Sequence, residues 1–396
     1  MNTERLVEIQ NKMLQKIIEY SFTSVPFYKD IWKDVVNKKA IKSSKIIDLL
    51  PIICRKDIFL NKNNMISKHF DKGKLICRKT SGTLGRTLKI FYDIPSIEYF
   101  NAELLRDFLD KGYRTWEKIV FFSPDKFKKK GIFEVIEFTR GYFIPEFWSD
   151  EVKIKKIENI NPQIVVGDLS TIINICFSNH EPEVKPRFIT VYGDLLTESV
   201  RKFLEEVFNT TIYQRYSSAE ILSMAWECKE KNMHYNIDIA YLEFLKNKLG
   251  YNVIATNFIN RAMPLIRYDL GDIVIPSDDI CSCGRGLPLI KSIEGRANDF
   301  IVLPNGKILS PKKVQRYLES LIGSGKEFRI VQKTKYNIVL YLKNCLDEPF
   351  LQIMENKMKK LFGNFVNVKI ILKNKFPKNI KMMKYRTVTS KVKINL

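Results

Sequence analysis

A loop rich in glycine and hydroxyl side chains lies between two segments of strand-like pattern near residue 80. It reads Lys79-Thr80-Ser81-Gly82-Thr83-Leu84-Gly85-Arg86-Thr87. Glycine lets a backbone approach phosphate closely, exposed N–H groups and hydroxyls donate to phosphate oxygens, and an arginine balances the charge. A serine-, threonine- and glycine-rich turn is more often an ordinary turn, and the loop has neither the Walker spacing nor a GxGxxG pattern. Alone, the loop indicates a phosphate site only modestly.

Three cysteines and one histidine form a second candidate site. They are Cys228, His234, Cys281 and Cys283. Three thiolates and one imidazole suit tetrahedral zinc, with bonds of about 2.3 Å to sulfur and about 2.0 Å to nitrogen. The alternative is two unrelated pairs of reduced thiols.

The loop near residue 80 resembles the phosphate loop of adenylate-forming enzymes, usually Ser-Gly-Thr-Thr-Gly-Lys-Pro. Further segments match that family in the right order, so the resemblance covers almost the whole chain. It is to the phenylacetate-CoA-ligase-like and CapK-like (capsular polysaccharide biosynthesis) branch. The segments are Gly193-Asp194-Leu195-Leu196, Tyr216-Ser217-Ser218-Ala219-Glu220, Ile266-Arg267-Tyr268-Asp269-Leu270-Gly271-Asp272, Gly295-Arg296-Ala297-Asn298-Asp299 and Arg386-Thr387-Val388-Thr389-Ser390-Lys391.

The resemblance implies a set of residues that contact the nucleotide. They are Ser81, Gly82, Thr83, Gly85, Arg86, Gly193, Asp194, Tyr216, Ser217, Asp272 and Arg296. Within the set, Asp272 grips the ribose hydroxyls and Arg296 supports the nucleotide. The same resemblance implies that Asp299 is the hinge between two domains.

The catalytic residues expected from the resemblance are Lys391, Glu220 and Thr83. Attack of a carboxylate on the α-phosphate brings two anions together and builds charge on phosphorus, so cations and fixed donors are needed there. Lys391 supplies one cation as a small domain closes, and Glu220 holds Mg²⁺, which prefers carboxylates together with phosphate oxygens. Singly, such residues are more often surface carboxylates or tail lysines. Their ordered combination favours the functional interpretation.

The Cys281-Ser282-Cys283-Gly284-Arg285 segment resembles a Cys-x-Cys-Gly-Arg knuckle of the same branch, which a preceding Cys and His complete. With all four positions filled by protein, the zinc would be structural. We expect it to pin the loop before Gly295 to the nucleotide-binding core.

The chain departs from the family pattern at several positions. Leu84 and Arg86 stand where Thr and Lys are usual, and Arg86 preserves the charge. Ser217 and Ser390 stand where Gly is usual, so we expect a backbone conformation that favours glycine at both. That expectation keeps open a degenerate relative that binds nucleotide without efficient turnover.

Strands and helices alternate up to about residue 220, which is typical of an α/β layered domain. Strands are predicted at 118–122, 163–167 and 187–192, and helices at 96–111 and 197–208. After residue 296 a hairpin at 300–309 precedes helix, strand, strand, helix and strand. We therefore expect an α/β fold. A large adenylate-forming N-terminal domain at 1–299 includes a helical start at 1–70 and a zinc-knuckle region at 228–283, and a small mobile α+β domain covers 300–396.

The composition limits the classes of partner. The 396 residues contain 45% hydrophobic and 28% charged residues, the balance of a folded protein. No run of about 18 apolar residues occurs, so no membrane span is expected, and seven mostly isolated cysteines favour the reducing cytoplasm. The net charge of +22 would suit nucleic acid. The basic residues are scattered, however, and we expect no specific nucleic-acid partner.

The sequence predicts ATP-dependent activation of a carboxylic acid to an acyl-adenylate, with release of pyrophosphate and then acyl transfer. By resemblance the acceptor is coenzyme A, or an amine or hydroxyl of a surface-polysaccharide precursor, and the sequence specifies neither the acceptor, the acid nor the oligomeric state. The expected cofactors are ATP, Mg²⁺ and structural Zn²⁺, with coenzyme A for the first acceptor. The alternatives are the degenerate nucleotide-binding relative and a basic nucleic-acid-binding protein.

Overall fold

The computed structural model describes residues 3–36, 44–79, 87–123, 140–178, 182–323, 326–343, 348–373 and 387–394. The α-helices are α1 (Thr3–Ser24), α2 (Pro26–Trp32), α3 (Arg55–Asn61), α4 (Ile94–Asp110), α5 (Asp150–Ile160), α6 (Leu169–Cys176), α7 (Glu198–Phe208), α8 (Pro311–Ile322) and α9 (Glu348–Phe362). Short 3-10 helices cover Ser44–Leu49, Lys72–Lys74 and Ala297–Asp299.

The β-strands follow the same order. They are β1 (Ile76–Lys79), β2 (Lys89–Tyr92), β3 (Lys118–Ser123), β4 (Arg140–Pro145), β5 (Ile164–Asp168), β6 (Phe188–Tyr192), β7 (Thr211–Ser218), β8 (Leu222–Glu227), β9 (Met233–Tyr235), β10 (Ala240–Asn247), β11 (Gly250–Asn257), β12 (Tyr268–Ser277), β13 (Leu289–Arg296), β14 (Ile301–Val302), β15 (Ile308–Leu309), β16 (Phe328–Thr334), β17 (Asn337–Lys343), β18 (Asn367–Lys373) and β19 (Val388–Ser390).

Eleven of the described strands form one large sheet, in the order β10-β11-β12-β13-β9-β8-β7-β6-β5-β3-β4. The strands from β4 to β7 in that order pair in parallel. From β7 to β10 every neighbour is antiparallel. The parallel half agrees with the predicted alternation of strands and helices. The strands of the antiparallel half from β8 to β13 were not predicted.

Helices cover both faces of the parallel half. Val165 and Ile189 pack with α5, α6 and α7 on one face. Their neighbours Val166 and Phe188 pack against Phe108 of α4 on the other face. Every residue of β5 is buried, as expected for a parallel strand covered on both sides.

The N-terminal helices pack against the antiparallel half. The buried Tyr28 hydroxyl donates to Pro264 O at 3.0 Å and accepts from Ile266 N at 2.9 Å. Ile53 bridges to Tyr268 in parallel, with its N–H bonded to Arg267 O at 3.0 Å and its carbonyl accepting from Asp269 N at 2.8 Å. These bonds attach the helical start to the strand that leads to Asp272.

The C-terminal residues form a separate four-stranded sheet in the order β18-β17-β16-β19. Helix α8 begins at the N-cap Ser310, whose hydroxyl accepts from Lys313 N at 3.2 Å, and Gly323 follows its end at φ +90°. Val314 and Leu318, one helical turn apart, pack on this sheet in a core of its own. The predicted fold class, an α/β protein with a large layered part and a small α+β part, is confirmed.

Among the helices of the described ranges, none is both long enough and apolar enough to cross a membrane.

Candidate active site and metal-ligand cluster

Strand β7 is the point at which the large sheet changes from parallel to antiparallel, and Gly193 follows the adjacent β6. Ligands of open α/β sheets bind beyond the carboxyl ends of the parallel strands, and we refer to the change of pairing direction at β7 as the switch point. Gly193 has φ +96°, and a Cβ there would lie 2.0 Å from Asp168 Oδ2. Asp168 is held in place because its Oδ1 accepts from Ser170 N at 3.0 Å and Ser170 Oγ at 2.6 Å. Only glycine therefore fits at position 193. Asp194 follows it, and its carbonyl accepts from Gln214 Nε2 at 3.5 Å.

Tyr216, Asp272 and Arg296 meet beside this switch point. The Tyr216 hydroxyl donates to Asp272 Oδ2 at 2.8 Å, and Arg296 Nε lies 3.5 Å from Asp272 Oδ1. Asp272 and Arg296 are direct partners in the β12–β13 register. The Asp272 carboxylate raises the pKa of Arg296 above its ordinary value. Burial, and to a smaller extent the nearby Asp272 carboxylate, raises the pKa of Tyr216 well above 10. The structure thus brings together three of the predicted nucleotide-binding residues.

Glu220 lies in the turn between β7 and β8, where it is 9% exposed. The Tyr268 hydroxyl donates to Glu220 Oε1 at 3.4 Å, and Arg55 Nη1 lies 3.8 Å from the same oxygen. Both distances exceed those of strong charge-assisted hydrogen bonds. The Tyr92 hydroxyl donates to the carbonyl oxygens of Ala219 and Glu220, at 2.8 Å each, and so fixes the backbone of the turn.

The backbone around Glu220 corrects one expectation from the sequence. Ser217 lies in β7 and Ser390 in β19, and neither is among the non-glycine residues of positive φ in the described part of the chain. Strand geometry is open to any residue, so serine is tolerated at both positions. The left-handed conformation falls instead on Leu222, at φ +69°. For a bulky residue that conformation costs on the order of 1 to 2 kcal/mol.

The phosphate-loop prediction falls on residues outside the described ranges. They are Ser81, Gly82, Thr83, Gly85 and Arg86. The flanking segments form strands as predicted, and these strands, β1 and β2, pair antiparallel with Lys79 opposite Lys89. Tyr92, at the end of β2, is the residue that contacts the Glu220 turn.

The predicted hinge and the predicted catalytic lysine lie close together in the fold. Asp299 is buried in the 3-10 helix Ala297–Asp299, between β13 and β14. Strand β19, which Lys391 follows, lies beside that 3-10 helix. The Lys391 N–H donates to Gln332 O at 2.9 Å. Within the described part of the chain, the exposed Lys391 side chain forms no hydrogen bond or ion pair, with Glu220 or with any other residue.

The four predicted metal ligands converge. Their ligand atoms all lie within 4.8 Å of one another. Cys228 Sγ lies 3.7 Å from Cys281 Sγ, and Cys283 Sγ lies 3.3 Å from His234 Nε2. Two sulfurs at 2.3 Å from a shared tetrahedral centre would be about 3.8 Å apart, whereas a disulfide needs about 2.05 Å. The spacing therefore fits a tetrahedral metal site.

The protonation of two of the four groups, His234 and Cys281, also suits a metal, whereas burial raises the pKa of the thiols of Cys228 and Cys283. His234 Nδ1 lies 2.9 Å from Leu287 O, so it donates to that carbonyl and leaves the Nε2 lone pair directed at the thiols. Burial lowers the pKa of His234 and so favours its neutral form. Burial opposes ionisation of Cys281, but hydrogen bonds from Cys283 and Asn232 outweigh it and lower the pKa of that thiol. Burial raises the pKa of Cys228 to about 12 in the absence of a metal.

Three residues around Glu220 were not among the predicted site residues. Tyr268 belongs to the segment that ends at Asp272, and its period-2 spacing with Asp272 along a strand is the signal that could have identified it. Tyr92 ends the strand after the phosphate loop. Arg55 begins helix α3, far along the chain from Glu220, and carries no local signal of a role at the site.

Comparisons with known proteins support the same assignment. No protein-family model matches the chain. Protein CapK of Staphylococcus aureus is 27% identical over 402 residues, covering 94% of this chain and 86% of CapK. Phenylacetate-coenzyme A ligase of Thermus thermophilus is 21% identical over 380 residues, covering 88% of this chain and 83% of that ligase.

A solved structure shares the fold over nearly the whole length. It is 2-hydroxyisobutyryl-CoA ligase in the postadenylation state in complex with R3-HIB-AMP, with a TM-score of 0.79 and 17% identity over 98% of this chain and 90% of the ligase. The sequence similarity and the shared fold agree with the convergence of the motif residues Tyr216, Asp272 and Arg296 beside the switch point at β7. Over most of its length the chain is therefore similar in sequence to CapK and to phenylacetate-coenzyme A ligase, and it has the fold of 2-hydroxyisobutyryl-CoA ligase.

Proposed function

We propose that the protein joins a carboxylic acid to the AMP portion of ATP and then transfers the acyl group to an acceptor. The observation that carries the proposal is the meeting of Tyr216, Asp272 and Arg296 beside the Gly193 turn, with Glu220 in the adjoining turn. These residues come from separate strands and converge on one side of the sheet. A nucleotide bound there would contact all of them.

Asp272 and Tyr216 are proposed to hold the nucleoside. The Asp272 carboxylate can accept hydrogen bonds from both ribose hydroxyls, since its present partners use one position on each oxygen. Arg296 balances its charge. The Tyr216 ring offers an aromatic face to adenine while its hydroxyl orients Asp272. Gly193 and Asp194 would lie against the adenine base. Ser217 is the next residue of β7 after Tyr216 and would lie beneath the nucleotide.

Glu220 is proposed to hold Mg²⁺. Its carboxylate fits because it is buried beside the switch point while its contacts to Tyr268 and Arg55 are long, and magnesium favours one or two carboxylates plus phosphate oxygens and water. When bound, the ion would neutralise charge on the triphosphate. The phosphate-loop residues Ser81, Gly82, Thr83, Gly85 and Arg86 stay a prediction for the same phosphates.

In the proposed first step, a carboxylate oxygen attacks the α-phosphorus. A bond forms between that oxygen and phosphorus, and the bond from the α-phosphorus to the bridging oxygen breaks as pyrophosphate leaves. The charge that develops on phosphorus needs a nearby cation, which we assign to Lys391. The backbone donors and hydroxyl of Thr83 are assigned to the same phosphate.

We propose that residues 300–396 form a small unit that turns about Asp299 relative to residues 1–299. The separate core of the small sheet supports this division, and so does the short 3-10 helix that joins it to β13. Such a turn would bring Lys391 to the nucleotide.

We propose a structural zinc ion at Cys228, His234, Cys281 and Cys283. The donor set, the spacing of the ligand atoms and the His234 Nδ1 contact to a carbonyl support it. A bound zinc would tie the β8–β9 turn to the loop between β12 and β13, and β13 ends at Arg296. We propose a location in the reducing cytoplasm on the basis of the seven mostly isolated cysteines of the sequence.

Coenzyme A is the acceptor we favour, because a phenylacetate-coenzyme A ligase is among the sequence relatives and a CoA ligase shares the fold. An amine or hydroxyl of a surface-polysaccharide precursor is the alternative that the capsule-type resemblance suggests. With Ser217 and Ser390 in ordinary strand conformations, no described residue favours the degenerate nucleotide-binding alternative.

The test is ATP–pyrophosphate exchange over a panel of aryl and aliphatic acids, run with wild type, Lys391→Ala and the control Lys393→Ala. Lys393 is an exposed neighbour of the same charge. We expect exchange with at least one acid, a loss of about 100-fold or more in Lys391→Ala, and a change below about twofold in the control. Adding coenzyme A to the productive acid then shows whether a thioester forms. Exchange with no acid would refute the proposed activity, and equal rates for Lys391→Ala and wild type would refute the role of Lys391.

A further inference from the structure

Gln332 lies in β16 of the small sheet, and its side chain is fully buried. Its carboxamide bonds the backbone of Val302 twice: Val302 N–H donates to Oε1 at 3.0 Å, and Nε2 donates to Val302 O at 2.6 Å. This reciprocal exchange is how a hydrogen-bonded pair of residues is joined in an antiparallel sheet. The Gln332 side chain therefore acts as a substitute peptide group that attaches the β14–β15 hairpin to the small sheet.

The same side chain holds the segment that carries Lys391. Ser390 is the register partner of Gln332 in the parallel pairing of β16 with β19, and Ser390 Oγ donates to Gln332 Oε1 at 2.8 Å. Val392 N–H donates to Ser390 Oγ at 3.1 Å. Lys391 N–H donates to Gln332 O at 2.9 Å. The lysine and both of its neighbours are thus connected, directly or through one hydroxyl, to Gln332.

The other end of the connection lies at the proposed hinge. Val302 follows Asp299 by three residues, and β19 lies beside the 3-10 helix that contains Asp299. After Lys391, Ile394 packs with the buried Ala297 and Phe300. The lysine segment is therefore fixed on one side by Gln332 and on the other by the residues around the hinge.

We propose that Gln332 is a positioning residue for Lys391, which it holds at a fixed place relative to the hinge through Ser390 and Val302. The inference rests on the proposed function, in which Lys391 supplies the cation for the α-phosphate. Serine at position 390 contributes to this positioning, because a glycine there would have no hydroxyl to donate to Gln332. Serine in place of the usual glycine therefore adds a hydrogen bond that holds the lysine segment on Gln332.

The expected effect is on turnover and not on nucleotide affinity. The groups proposed to hold the nucleoside lie in the large sheet, so disturbing Gln332 leaves them in place. A displaced lysine weakens only the interaction made as charge develops on phosphorus, which lowers kcat and leaves KM for ATP nearly unchanged. A purely structural role would lower the folded fraction and leave kcat per folded molecule unchanged.

The experiment uses the full chain with three substitutions. Ser390→Ala removes one donor to Gln332 without burying a new group, and Gln332→Met removes the whole connection at similar volume. Thr389→Val is the matched control, since its hydroxyl donates to Ile330 O at 3.3 Å in the same strand and does not contact Gln332. ATP–pyrophosphate exchange is measured with the acid that the wild type accepts, and hydrogen exchange is measured in peptides that cover 299–303 and 387–394.

We expect kcat to fall about fivefold in Ser390→Ala and about 30-fold in Gln332→Met, with KM for ATP within about twofold of wild type. The Thr389→Val control should stay within about twofold in both constants. In Gln332→Met the amides of Val302 and Lys391 should exchange at least about tenfold faster.

Unchanged kcat in Ser390→Ala and Gln332→Met would overturn the proposal, as would a rise in KM alone or an equal loss in the control. If Gln332→Met does not fold, the kcat of Ser390→Ala tests the proposal alone: a fall supports it and an unchanged value overturns it. If the wild type exchanges pyrophosphate with no acid, the proposed function fails while hydrogen exchange still tests the connection. Faster hydrogen exchange at the Lys391 amide in Gln332→Met then supports the connection, and an unchanged rate of hydrogen exchange refutes it.

Discussion

Glu319 accepts a hydrogen bond from the Thr197 hydroxyl at 2.5 Å and thereby joins α8 of the small unit to the start of α7 beside the large sheet. Ser199 Oγ donates to the same carboxylate oxygen, and Gln315 Nε2 donates to the other at 2.9 Å. A carboxylate at a helix N-terminus is favourable because it faces the positive end of the helix dipole. The contact lies just beyond the Gly193-Asp194 turn. It therefore connects the small unit to the segment assigned to adenine.

Replacing Glu319 by alanine is expected to loosen the small unit from the large sheet. Hydrogen bonds to a buried charged group contribute about 1.5 to 3 kcal/mol, so we expect limited proteolysis between residues 297 and 310 to become at least about tenfold faster. Glu355→Ala is the control, because Glu355 is exposed on α9. Equal cleavage rates for Glu319→Ala and wild type would contradict the proposed contribution of this contact.

Tyr216→Phe tests the orientation of the ribose carboxylate. The substitution removes the hydroxyl that donates to Asp272 at 2.8 Å and keeps the ring. We expect KM for ATP in pyrophosphate exchange to rise about tenfold and kcat to change less than about threefold. Tyr213→Phe, in the same strand and away from Asp272, should leave both constants within about twofold. A Tyr216→Phe enzyme with wild-type KM would show that Asp272 needs no such partner.

The proposed zinc ion can be removed by substitution. We expect about one zinc per purified chain and less than about 0.1 in Cys281→Ser, with a melting temperature lower by roughly 5 °C or more because metal binding is coupled to folding. Cys77→Ser, at an exposed cysteine outside the cluster, should keep both the metal and the melting temperature. Elemental analysis and calorimetry measure these quantities. A Cys281→Ser protein that retains zinc would refute the ligand set.

Alkaline pH should destabilise the protein through the tyrosines that surround the site. Burial raises the pKa of Tyr92, Tyr216 and Tyr268 above 10.0 in the folded state. The unfolded chain loses these protons near pH 10, so above pH 10 the unfolded state binds fewer protons than the folded state and becomes favoured. This contribution to stability is complete below pH 10 and is lost as the pH rises toward the folded-state values.

For each such tyrosine we expect the free energy of unfolding to fall by about 1.4 kcal/mol per pH unit above pH 10. Urea unfolding between pH 8 and 11 measures the slope, and tyrosinate absorbance should rise together with loss of tertiary structure. Ionisation of these three tyrosines by pH 11 in a protein that far-ultraviolet circular dichroism shows to be still folded would contradict this expectation.

The parallel half of the fold and the small sheet could be predicted because their elements carry local signals. The helix predicted at 197–208 is α7, with Thr197 as its N-cap, and the predicted hairpin at 300–309 turns at Gly306, which has φ +81°. The antiparallel strands gave no comparable signal. Every residue of β8 is buried, so its sequence lacks the alternation that marks a strand with one exposed face.

The candidate site was predictable where it lies within motifs and not where it depends on distant contacts. Tyr216, Asp272 and Arg296 were expected from their segments and do converge: Asp272 and Arg296 are register partners in β12 and β13, and the Tyr216 hydroxyl donates to Asp272. The contact of Arg55 with Glu220 could not be predicted, since it depends on how the N-terminal helices pack on that sheet. The expectation for Ser217 and Ser390 was wrong because it transferred a glycine requirement to backbone positions that are simply extended. The roles of Lys391 and the phosphate loop stay predictions.

The bonds that Ile53 makes to Arg267 and Asp269 have a practical meaning for engineering this chain. Because they join the opening segment to the strand bearing Asp272, the first 61 residues cannot be treated as a detachable extension. If the proposed function holds, a tag, a truncation or a bound antibody that shifts this segment should alter affinity for ATP at a distance, even though it leaves the side chains proposed to bind the nucleotide intact.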